Sequence, residues 1–566
     1  MAGIAWREWD DEPFAEAKRT GRPLLLLLGA SWCRFCRDLE EGILSEPELV
    51  AATQRRFVPV RADKDRDRDA DEKYWRGGWP TLLVVRADGV AAEGGAALSA
   101  DEVRSLVLGR ESPASPPPQP SAFSPRLVER VAQAMLEAFD ARHGGFGTGP
   151  KFPHPEAIDF ALLYAEKTNR PEFREIALKT LTEMAGGSLF DPIEGGFFRY
   201  CATRDWRQPC TEKPLETQAG LLRNYLEGWQ LFGRAEFRKV AQKTLSYVEH
   251  ALRDPQTGAW FSGQEADDSY YALSERARAD RKPPLVERTI YARPLAAAIS
   301  AVLKAGAVLG DETATQRAVA ASRFLVETLC SAGKGVYHSF DGERHILGLL
   351  ADQVFALRAL LHVVQYTGDN GPLALVEDLI ATVARKQSAT DGGFYEVRDD
   401  DPGFAQTKRR TAALLENGLL AETLVRAHCL TAKREYRELA AGALRSFAAD
   451  HPLYGYLSAE YARAVELYFH PPLRVFVVGA TADPRRRALA DVARRTYAPS
   501  KLVLALDPEL DAELLARHRF PPRPGEAIAY VAIEGASVAE LSDPAALPAA
   551  MARAESLRSR ASAVAS

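Results

Sequence analysis

Two cysteines separated by two residues, in the sequence Trp32-Cys33-Arg34-Phe35-Cys36, are the residues of this chain best suited to chemistry. The apolar run 24–28 precedes them and predicts a buried strand, and the residues that follow them predict a helix. Pro80 stands just before a second apolar run, 82–85, which predicts another strand.

These features together are typical of a thioredoxin-like redox site. A helix N-terminus stabilises a thiolate, so we expect a lowered pKa for Cys33 and a role for it as the nucleophile. Cys36 is then within reach to resolve a mixed disulfide. We expect Pro80 to be a cis proline whose backbone lies against the two sulfurs. Trp32, directly before the dithiol, completes the predicted catalytic set.

Two other interpretations of the cysteine pair remain. A structural zinc site needs four ligands and usually a second close pair. The remaining cysteines form no such pair; they are Cys201, Cys210, Cys330 and Cys429. We therefore predict no metal and no cofactor. The other alternative is an idle dithiol, because the strand before the motif is all leucine and lacks the buried carboxylate that helps to move protons in thioredoxins.

Length and composition indicate a soluble protein of several domains. The 566 residues are enough for several cores, and 46% hydrophobic and 26% charged residues are ordinary for globular domains. A formal net charge of -5 gives no electrostatic reason to expect nucleic acid or an anionic membrane as a partner. The acidic segment 6–12 is unlike a secretory signal, and no apolar stretch predicts a membrane span. Few, scattered cysteines fit a reducing compartment, so we predict a cytoplasmic location.

Changes in composition divide the chain into three folded parts. Residues 1–110 carry the strand and helix signals of an α/β thioredoxin-like domain. Residues 111–122 include three consecutive prolines and predict a linker. Residues 123–470 show helical spacing of apolar residues throughout. Residues 471–566 return to strand-like runs and predict a small α/β region, to which we assign no chemistry.

A glycine-aromatic element recurs within residues 123–470, at intervals that fit two helices and their loops. A pair of helices cannot bury its apolar face alone, so neighbouring pairs must stack. Six such units predict an all-α (α/α)6 barrel whose aromatic residues lie at the loop end. The copies are Gly144-Gly145-Phe146, Gly195-Gly196-Phe197-Phe198, Gly258-Ala259-Trp260-Phe261, Gly335-Val336-Tyr337, Gly392-Gly393-Phe394-Tyr395 and Gly455-Tyr456.

With both regions in view, the chain resembles the thioredoxin-domain-containing family typified by spermatogenesis-associated protein 20 and its bacterial relatives. The resemblance implies a thioredoxin-like domain followed by a barrel of the six-hairpin glycosidase and sugar 2-epimerase type. The motifs that carry it are Cys33-Arg34-Phe35-Cys36, Gly77-Gly78-Trp79-Pro80, Gly144-Gly145-Phe146-Gly147, Pro150-Lys151-Phe152-Pro153-His154-Pro155, Gly195-Gly196-Phe197-Phe198-Arg199-Tyr200 and Glu212-Lys213.

The chain departs from the family pattern where chemistry is concerned. Members usually have histidine inside the dithiol motif, where this chain has Arg34-Phe35. Members also have a Pro-His-Phe-Glu-Lys-Met run in the barrel, where this chain has the sequence 209–214. Cys210 therefore replaces the histidine that is most similar to an epimerase proton shuttle. The chain is identified as a divergent member of the family.

The resemblance implies that the concave end of the barrel holds sugars against aromatic residues, with carboxylates for proton transfer. Epimerisation needs a base beside the substrate carbon, and His338 and His345 are available on one loop-like stretch. The alternative role of each acid is a helix cap or salt bridge, and that of each aromatic is a core position. The predicted substrate-binding residues are Arg199, Tyr200, Trp206, Glu212, Lys213, Trp260, Asp267, Asp268 and Asp352.

Three functions follow from these features. The main hypothesis is a thiol-disulfide oxidoreductase that acts on a protein or small-molecule disulfide, fused to a barrel of unassigned role with a saccharide as its candidate ligand. The second is a carbohydrate-active enzyme, of sugar epimerase or glycoside hydrolase type, with an accessory thioredoxin domain. The third is a non-catalytic binding protein in which both sites have decayed.

Overall fold

The structure is a computed structural model that describes residues 3–29, 34–64, 66–74, 80–96, 98, 100–109, 123–400, 412–449, 451–533 and 536–565. The chain forms two compact units. The first comprises Met1–Ala122, Gln406–Leu414 and Phe447–Ser458, and the second comprises Phe123–Ala405, Leu415–Ser446 and Ala459–Ser566. The predicted barrel and the C-terminal α/β region thus lie mainly in the second unit.

The first unit is an α/β domain built on a four-stranded sheet, as the sequence predicts. The strand order is β2-β1-β3-β4, with β1 parallel to β2 and antiparallel to β3, and β3 antiparallel to β4. This is the strand arrangement of a thioredoxin-like domain. The strands are β1 Leu24–Gly29, β2 Val58–Asp63, β3 Thr81–Val85 and β4 Ala91–Ala96; the helices are α1 Asp11–Thr20, α2 Arg34–Glu41, α3 Pro47–Arg56, α4 Arg68–Tyr74 and α5 Ala100–Leu108, with 3-10 turns at Ile43–Ser45 and His451–Ser458.

The leucine run forms the central strand because both faces of the sheet are covered. All of Leu24–Leu28 is buried. Alternate side chains point to opposite faces of a strand, so one set packs with Phe14 and Tyr74 and the other with Leu49 and Val103. A continuous apolar run, rather than an alternating one, is what a strand buried on both faces requires.

The second unit begins with twelve long helices that alternate between an inner and an outer ring. The inner helices are α7 Pro155–Thr168, α9 Leu215–Phe232, α13 Ala292–Leu309, α15 Leu350–Thr367, α17 Leu414–Thr431 and α19 Ala459–Phe469. The outer helices are α6 Arg126–Ala138, α8 Pro171–Gly186, α10 Ala235–Tyr247, α14 Glu312–Phe324, α16 Leu373–Gln387 and α18 Arg434–Ser446. Two short helices, α11 Asp268–Tyr271 and α12 Glu275–Ala279, lie between α10 and α13, and π-helical turns at Val248–Leu252 and Leu325–Leu329 extend α10 and α14.

The inner helices pack side by side into the ring that the sequence predicts. α13 packs against both α9 and α15, α9 packs against α7, and α7 packs against α19. Gly418 of α17 lies against the backbone of Tyr461 in α19. The chain passes from an outer helix to the next inner helix each time, so all inner helices start at the same end of the barrel. Short strands decorate that end: β5 Tyr200–Cys201, β6 Pro209–Cys210, β7 Lys213–Pro214, β8 Gly263–Gln264, β9 Val286–Glu287, β10 Ile290–Tyr291, β11 Cys330–Ser331, β12 Gly335–Phe340 and β13 Arg344–Leu347.

The glycine-aromatic elements form turns of one kind between outer and inner helices. Four of them close with a β-bridge to a residue at or shortly after the end of the outer helix, as between Phe139 and Phe146 or between Phe190 and Phe197. The sixth copy differs, because Gly455-Tyr456 lies in the 3-10 turn of the first unit. An aspartate precedes three of the turns and accepts hydrogen bonds from the turn backbone; these residues are Asp140, Asp191 and Asp254.

Glycine is required at Gly145 for two separate reasons, a positive φ and a close contact with a neighbouring side chain. Gly147 has only the first of these features. Both have positive φ, at +69° and +75°, which costs an alanine about 1–2 kcal/mol. A Cβ on Gly145 would also lie 2.7 Å from the Trp206 ring, whereas one on Gly147 would meet nothing within 4 Å. We expect Gly145→Ala to lower the free energy of unfolding by about 1–3 kcal/mol more than Gly147→Ala, because the overpacking is added. Urea unfolding of both variants measures the difference, and equal losses would show that the ring contact contributes nothing.

One helix among the described residues corrects the expectation that no stretch is apolar enough to span a membrane. α13 has 18 residues and a mean hydropathy of 1.4, which suffices by length and composition. Of this 18-residue helix, 61% is buried inside the protein, because α13 is an inner helix of the barrel with helices on both sides.

The chain ends in another four-stranded sheet, which packs within the second unit. Its order is β15-β14-β16-β17, with β14 parallel to β15 and antiparallel to β16. The strands are β14 Arg474–Val478, β15 Leu502–Leu506, β16 Ile528–Ile533 and β17 Ala536–Leu541; the helices are α20 Pro484–Arg495, α21 Ala512–His518 and α22 Leu547–Ala565, the last preceded by a 3-10 turn at Pro544–Ala546. The predicted C-terminal α/β region is thus confirmed.

Candidate functional site

Charged residues stand in the first turn of the inner helices, at the end of the barrel where these helices begin. Carboxylates are stabilised at this position because the helix N-terminus carries partial positive charge. Arg293 of α13 is the one cation among five acids in this ring of helix starts. The members are Glu156, Glu216, Arg293, Asp352, Glu416 and Glu460.

A histidine and a buried carboxylate form a pair at this end. His338 lies on β12 and Asp352 lies in the first turn of α15, and His338 Nδ1 is 2.8 Å from Asp352 Oδ2. The His338 side chain is 25% exposed and that of Asp352 only 1%. The ring of Tyr291, on the strand that pairs with β12, lies 5.2 Å from the imidazole. The histidine is therefore accessible while its partner is fixed.

The hydrogen bond to Asp352 determines which nitrogen of the His338 imidazole can act as a base. A carboxylate accepts hydrogen bonds, so Nδ1 carries the proton and Nε2 is the basic nitrogen. A base oriented by a buried carboxylate is the arrangement that general-base catalysis requires. His345, by contrast, bonds through Nε2 to Asp341, and both side chains are about half exposed.

A second group at the same end joins three helices through one guanidinium. Arg293 Nε donates to Glu216 Oε1 at 2.8 Å, and Arg293 Nη1 lies 3.8 Å from Glu416. The guanidinium also lies over the Phe355 ring, 5.0 Å from its centre. The Glu216 carboxylate is the largest cause of a raised pKa for Arg293. The Arg293 guanidinium is therefore held beside two acids and an aromatic ring at the mouth of the barrel, the end where the inner helices begin.

Charged side chains continue one to two turns deeper along the inner helices. Arg463 contacts both Asp159, at 3.2 Å, and Glu422, at 2.7 Å, and Arg223 also pairs with Asp159. Charged side chains therefore extend from the helix starts into the interior of the barrel. Among the described residues, no group of three or more His, Cys, Asp or Glu side chains is placed to hold a metal ion.

Three of the predicted substrate-binding residues are fully buried. Trp206 has no exposed surface, and its Nε1 donates to the His143 carbonyl at 2.8 Å. Trp260 is equally buried, in the third glycine-aromatic turn. Lys213 has no exposed surface either. These side chains hold the loops of the barrel end in place and do not face solvent.

Lys213 belongs to a buried ionic cluster that the structure repeats in the preceding helix pair. Its ammonium donates to Asp191 at 2.8 Å and to the Gly195 carbonyl at 2.9 Å, and lies within 5.1 Å of three aromatic ring centres. Burial opposes ionisation of Asp191, but the charge of Lys213 and the hydrogen bonds from Lys213, Arg278 and the backbone together outweigh it and lower the pKa of the carboxyl. Lys151 and Asp140 make the equivalent pair at 2.9 Å.

The other predicted residues lie on the loops before α9 and around α11. Arg199 and Glu212 form an ion pair at 2.8 Å, and Tyr200 stacks on Phe152. Two acids have local structural roles: Asp267 caps α11, and Asp268 accepts a hydrogen bond from the Thr211 hydroxyl at 2.6 Å.

Cys210, which replaces the family histidine, is half-buried in this same loop layer. Burial raises the pKa of its thiol, so at neutral pH it carries no charge. It is therefore no substitute for a histidine base. Of the nine predicted residues, Asp352 is the one that the structure places in the histidine pair.

Sequence reasoning missed Arg293, Glu216, Glu416 and Tyr291 as a group. The available signal was position: each stands at the first turn of an inner helix or directly before it, after a glycine-aromatic turn. The aspartate four residues before the first glycine of a turn was a second unused signal, at Asp140, Asp191 and Asp254.

The described part of the dithiol region fits the predicted layout. Cys36 lies in the first turn of α2 and is 3% exposed. A Cβ on Gly29, the last residue of β1, would lie 3.0 Å from the Cys36 sulfur, so the strand and the sulfur are in close contact. Pro80 is buried directly before β3. Cys33 and Trp32 lie outside the described residues.

With the geometry in hand, comparison with known proteins supports the same two-part organisation. Residues 1–106 match the model of the family Thioredox_DsbH, described as a protein of unknown function, DUF255. Human spermatogenesis-associated protein 20 is 27% identical over 307 residues, which cover 47% of this chain and 39% of the human protein, and the mouse protein matches equally well. The chain is similar to the spermatogenesis-associated protein 20 family. It spans about two fifths of the length of these relatives.

Solved structures extend the likeness to the barrel. The cellobiose 2-epimerase of Spirochaeta thermophila DSM 6192 superposes with a TM-score of 0.50 at 16% identity, over 61% of this chain and 94% of that chain. A D-mannose isomerase gives a TM-score of 0.48 at 12% identity, over 62% of this chain and 99% of that chain. The first of these likenesses establishes the fold: the helices of the second unit form an (α/α)6 barrel, as the sequence predicts.

Proposed function

We propose that the barrel is a sugar-isomerising enzyme that moves a proton at the carbon next to the carbonyl of an open-chain reducing sugar. The observation that carries the proposal is the His338–Asp352 pair, an accessible imidazole oriented by a buried carboxylate at the mouth of the barrel. The substrate class is taken from the epimerase whose fold the barrel shares. The second hypothesis from the sequence, a carbohydrate-active enzyme with an accessory thioredoxin domain, thereby becomes the preferred one.

In the proposed reaction His338 Nε2 removes the proton from C2 of the open-chain sugar. The electron pair of the C2–H bond forms the C1–C2 double bond, and the carbonyl oxygen becomes an enediolate oxygen. Arg293, the cation of the mouth, stabilises the charge that develops there. Return of this proton from His338 to C1, with the O2 proton passing to O1, gives the ketose. Protonation of C2 from the opposite face by a solvent water gives the epimer, and the hydroxide formed takes the proton held by His338. No oxidant or reductant is consumed.

Glycoside hydrolysis fits the same mouth less well. Hydrolysis requires two carboxyl groups that face each other across the sugar with room between them. The Arg293 guanidinium contacts both Glu216 and Glu416, so a cation fills the space between these acids. A cation beside a base favours enediolate chemistry over attack at a glycosidic carbon.

Product analysis on a panel of reducing sugars tests this proposal. The purified full chain is incubated with glucose, mannose, fructose and cellobiose, and the products are separated by chromatography. We expect interconversion of at least one aldose with its 2-epimer or ketose. Release of monosaccharide from cellobiose without epimer formation would instead favour a hydrolase.

A second candidate function, thiol-disulfide exchange at Cys33 and Cys36, is supported by the close contact of Cys36 with β1 and by the family match of the first unit. The leucine strand supplies no carboxylate, but Glu40 stands one helical turn after Cys36. Burial raises the pKa of Glu40, although Arg61 lies 3.3 Å from it. A carboxyl with a raised pKa, one helical turn from Cys36, suits proton transfer during exchange.

Exchange chemistry predicts a trapped intermediate in the variant Cys36→Ser. Cys33 would still attack a substrate disulfide, but no thiol would resolve the mixed disulfide. Non-reducing mass spectrometry after exposure to oxidised glutathione should show one added glutathione on this variant, and none on Cys33→Ser. Equal labelling of the two variants would exclude Cys33 as the nucleophile.

A further inference from the structure

The C-terminal sheet repeats the architecture of the N-terminal one. The order β15-β14-β16-β17 and its strand directions correspond element by element to β2-β1-β3-β4. In both sheets the central strand runs into a glycine and then a helix: Gly29 leads to α2, and Gly479 leads to α20. The C-terminal region therefore has thioredoxin-like topology, although no cysteine occurs in residues 471–566.

Arg486 occupies the position in the C-terminal sheet that Cys36 occupies in the first. Each is the seventh residue after the glycine. A Cβ on Gly29 would lie 3.0 Å from the Cys36 sulfur, and one on Gly479 would lie 3.5 Å from Arg486 Cβ. Asp483 stands at the position of Cys33 and caps α20 by accepting from the Arg485 N–H at 2.8 Å. At the sequence positions that correspond to Cys36 and Cys33, the C-terminal region thus has a cation, Arg486, and a helix-capping residue, Asp483.

The side chain of Arg486 is buried, and its Nε–H has no hydrogen-bond acceptor. The residue is 9% exposed, and among the described residues no carboxylate lies within ion-pair distance of its guanidinium. The nearest carboxylates accept hydrogen bonds from other groups. Asp507 accepts from the Thr481 N–H at 2.6 Å, and Asp511 accepts from the Asp507 N–H at 2.7 Å. A buried cation left in this state is costly unless another group supplies the acceptor.

Arg486 faces a cleft that has room for such a group. The cleft has a volume of about 1140 Å³ and lies between α20 and the turns that follow α13 and α15. Two of its acids already have partners, since Asp369 accepts from the Gly371 N–H at 2.9 Å and Asp491 pairs with Arg494 at 3.3 Å. Further arginines line the cleft and are exposed; they are Arg323, Arg487 and Arg495. Within this cleft, the Nε–H of Arg486 lacks a hydrogen-bond acceptor with negative charge.

We propose that this cleft binds a small molecule through an oxyanion group, with Arg486 as the buried donor. Phosphate and carboxylate share the planar pair of acceptor oxygens that a guanidinium binds with two parallel hydrogen bonds. The C-terminal region is then a thioredoxin-like fold that has exchanged a redox site for an anion site. The proposal is independent of the sugar chemistry at the mouth.

Calorimetric titration of the full chain with inorganic phosphate and with citrate, at ionic strength held constant with sodium chloride, tests the site. We expect saturable binding of at least one anion, and phosphate alone or citrate alone would identify the group preferred. Arg486→Met should weaken that binding at least tenfold. The control Arg485→Met, at an exposed arginine that bonds to Asp483 outside the cleft lining, should leave it unchanged.

The proposal is overturned if neither anion binds the wild-type chain saturably, or if Arg486→Met binds as the wild type does. Should that variant fail to fold, Arg487→Glu provides a second test. Arg487 is exposed and lines the cleft, so reversing its charge should weaken anion binding without disturbing the core. Unchanged affinity in Arg487→Glu would count against the cleft as the binding place.

Discussion

His338→Ala is expected to lower the rate of sugar isomerisation by about 10²–10⁴-fold, the usual contribution of a positioned general base. The side chain is a quarter exposed and its main contact is Asp352, so the variant should fold normally. Asp352→Asn should have an effect of similar order, because an amide nitrogen at this position can donate to Nδ1 and so move the imidazole proton to Nε2, where the base is needed. Initial rates with the best sugar of the panel provide the measurement.

His345→Ala is the matched control for this prediction. His345 lies on the neighbouring strand β13 and also pairs with an aspartate at 2.8 Å, but both partners are about half exposed. Its removal should leave the rate within about twofold of the wild type. A comparable loss in His345→Ala and His338→Ala would contradict the assignment of the base.

The second large effect is expected on stability, at Asp191. This carboxylate bonds to Lys213 at 2.8 Å and to Arg278 at 2.7 Å, and all three side chains are buried. Asp191→Asn removes the ion-pair partner of the buried Lys213 and the nearer of two carboxylates beside Arg278, which keeps only Glu194 at 3.6 Å. We therefore expect a loss of about 3–5 kcal/mol in the free energy of unfolding. Urea unfolding of the full chain, followed by circular dichroism of the helices, measures it.

Two variants make this prediction specific. Lys213→Met should cost less, because Arg278 continues to pair with Asp191 and a methionine fits among the aromatic rings that surround the ammonium. Asp140→Asn, in the equivalent turn, should also cost less, because one of its two cations, Arg204, is 45% exposed and regains water. If all three variants lose the same free energy of unfolding, the number of buried charges left without an ion-pair partner does not determine the loss.

The architecture could be predicted because local sequence patterns determine it. Five consecutive leucines indicate a strand covered on both faces, and recurring Gly-Gly-Phe turns indicate stacked helix pairs. Both patterns act within a few residues or repeat at a regular interval. The sixth turn shows the limit of this reasoning, since Gly455-Tyr456 has the right composition but lies in the first unit.

The candidate site could not be predicted in the same way, because ring closure brings its members together. Glu216, Arg293 and Glu416 are far apart in sequence and meet only because their helices start at one end of the barrel. Residue type also does not reveal which way a side chain points. Trp260 and Lys213 are the kinds of residue that bind sugars, yet they are buried within the loops.

Solvent exchange at C2 of the sugar tests the central claim most directly. The chain is incubated in D₂O with the sugar that it converts best, or with glucose, mannose and cellobiose in turn, and NMR follows the C2 proton. Proton abstraction by His338 predicts loss of this proton signal with the wild-type chain and none above background with His338→Ala. Full retention of the C2 proton in all three sugars, or equal loss in the variant, would contradict the assignment of His338 as the base.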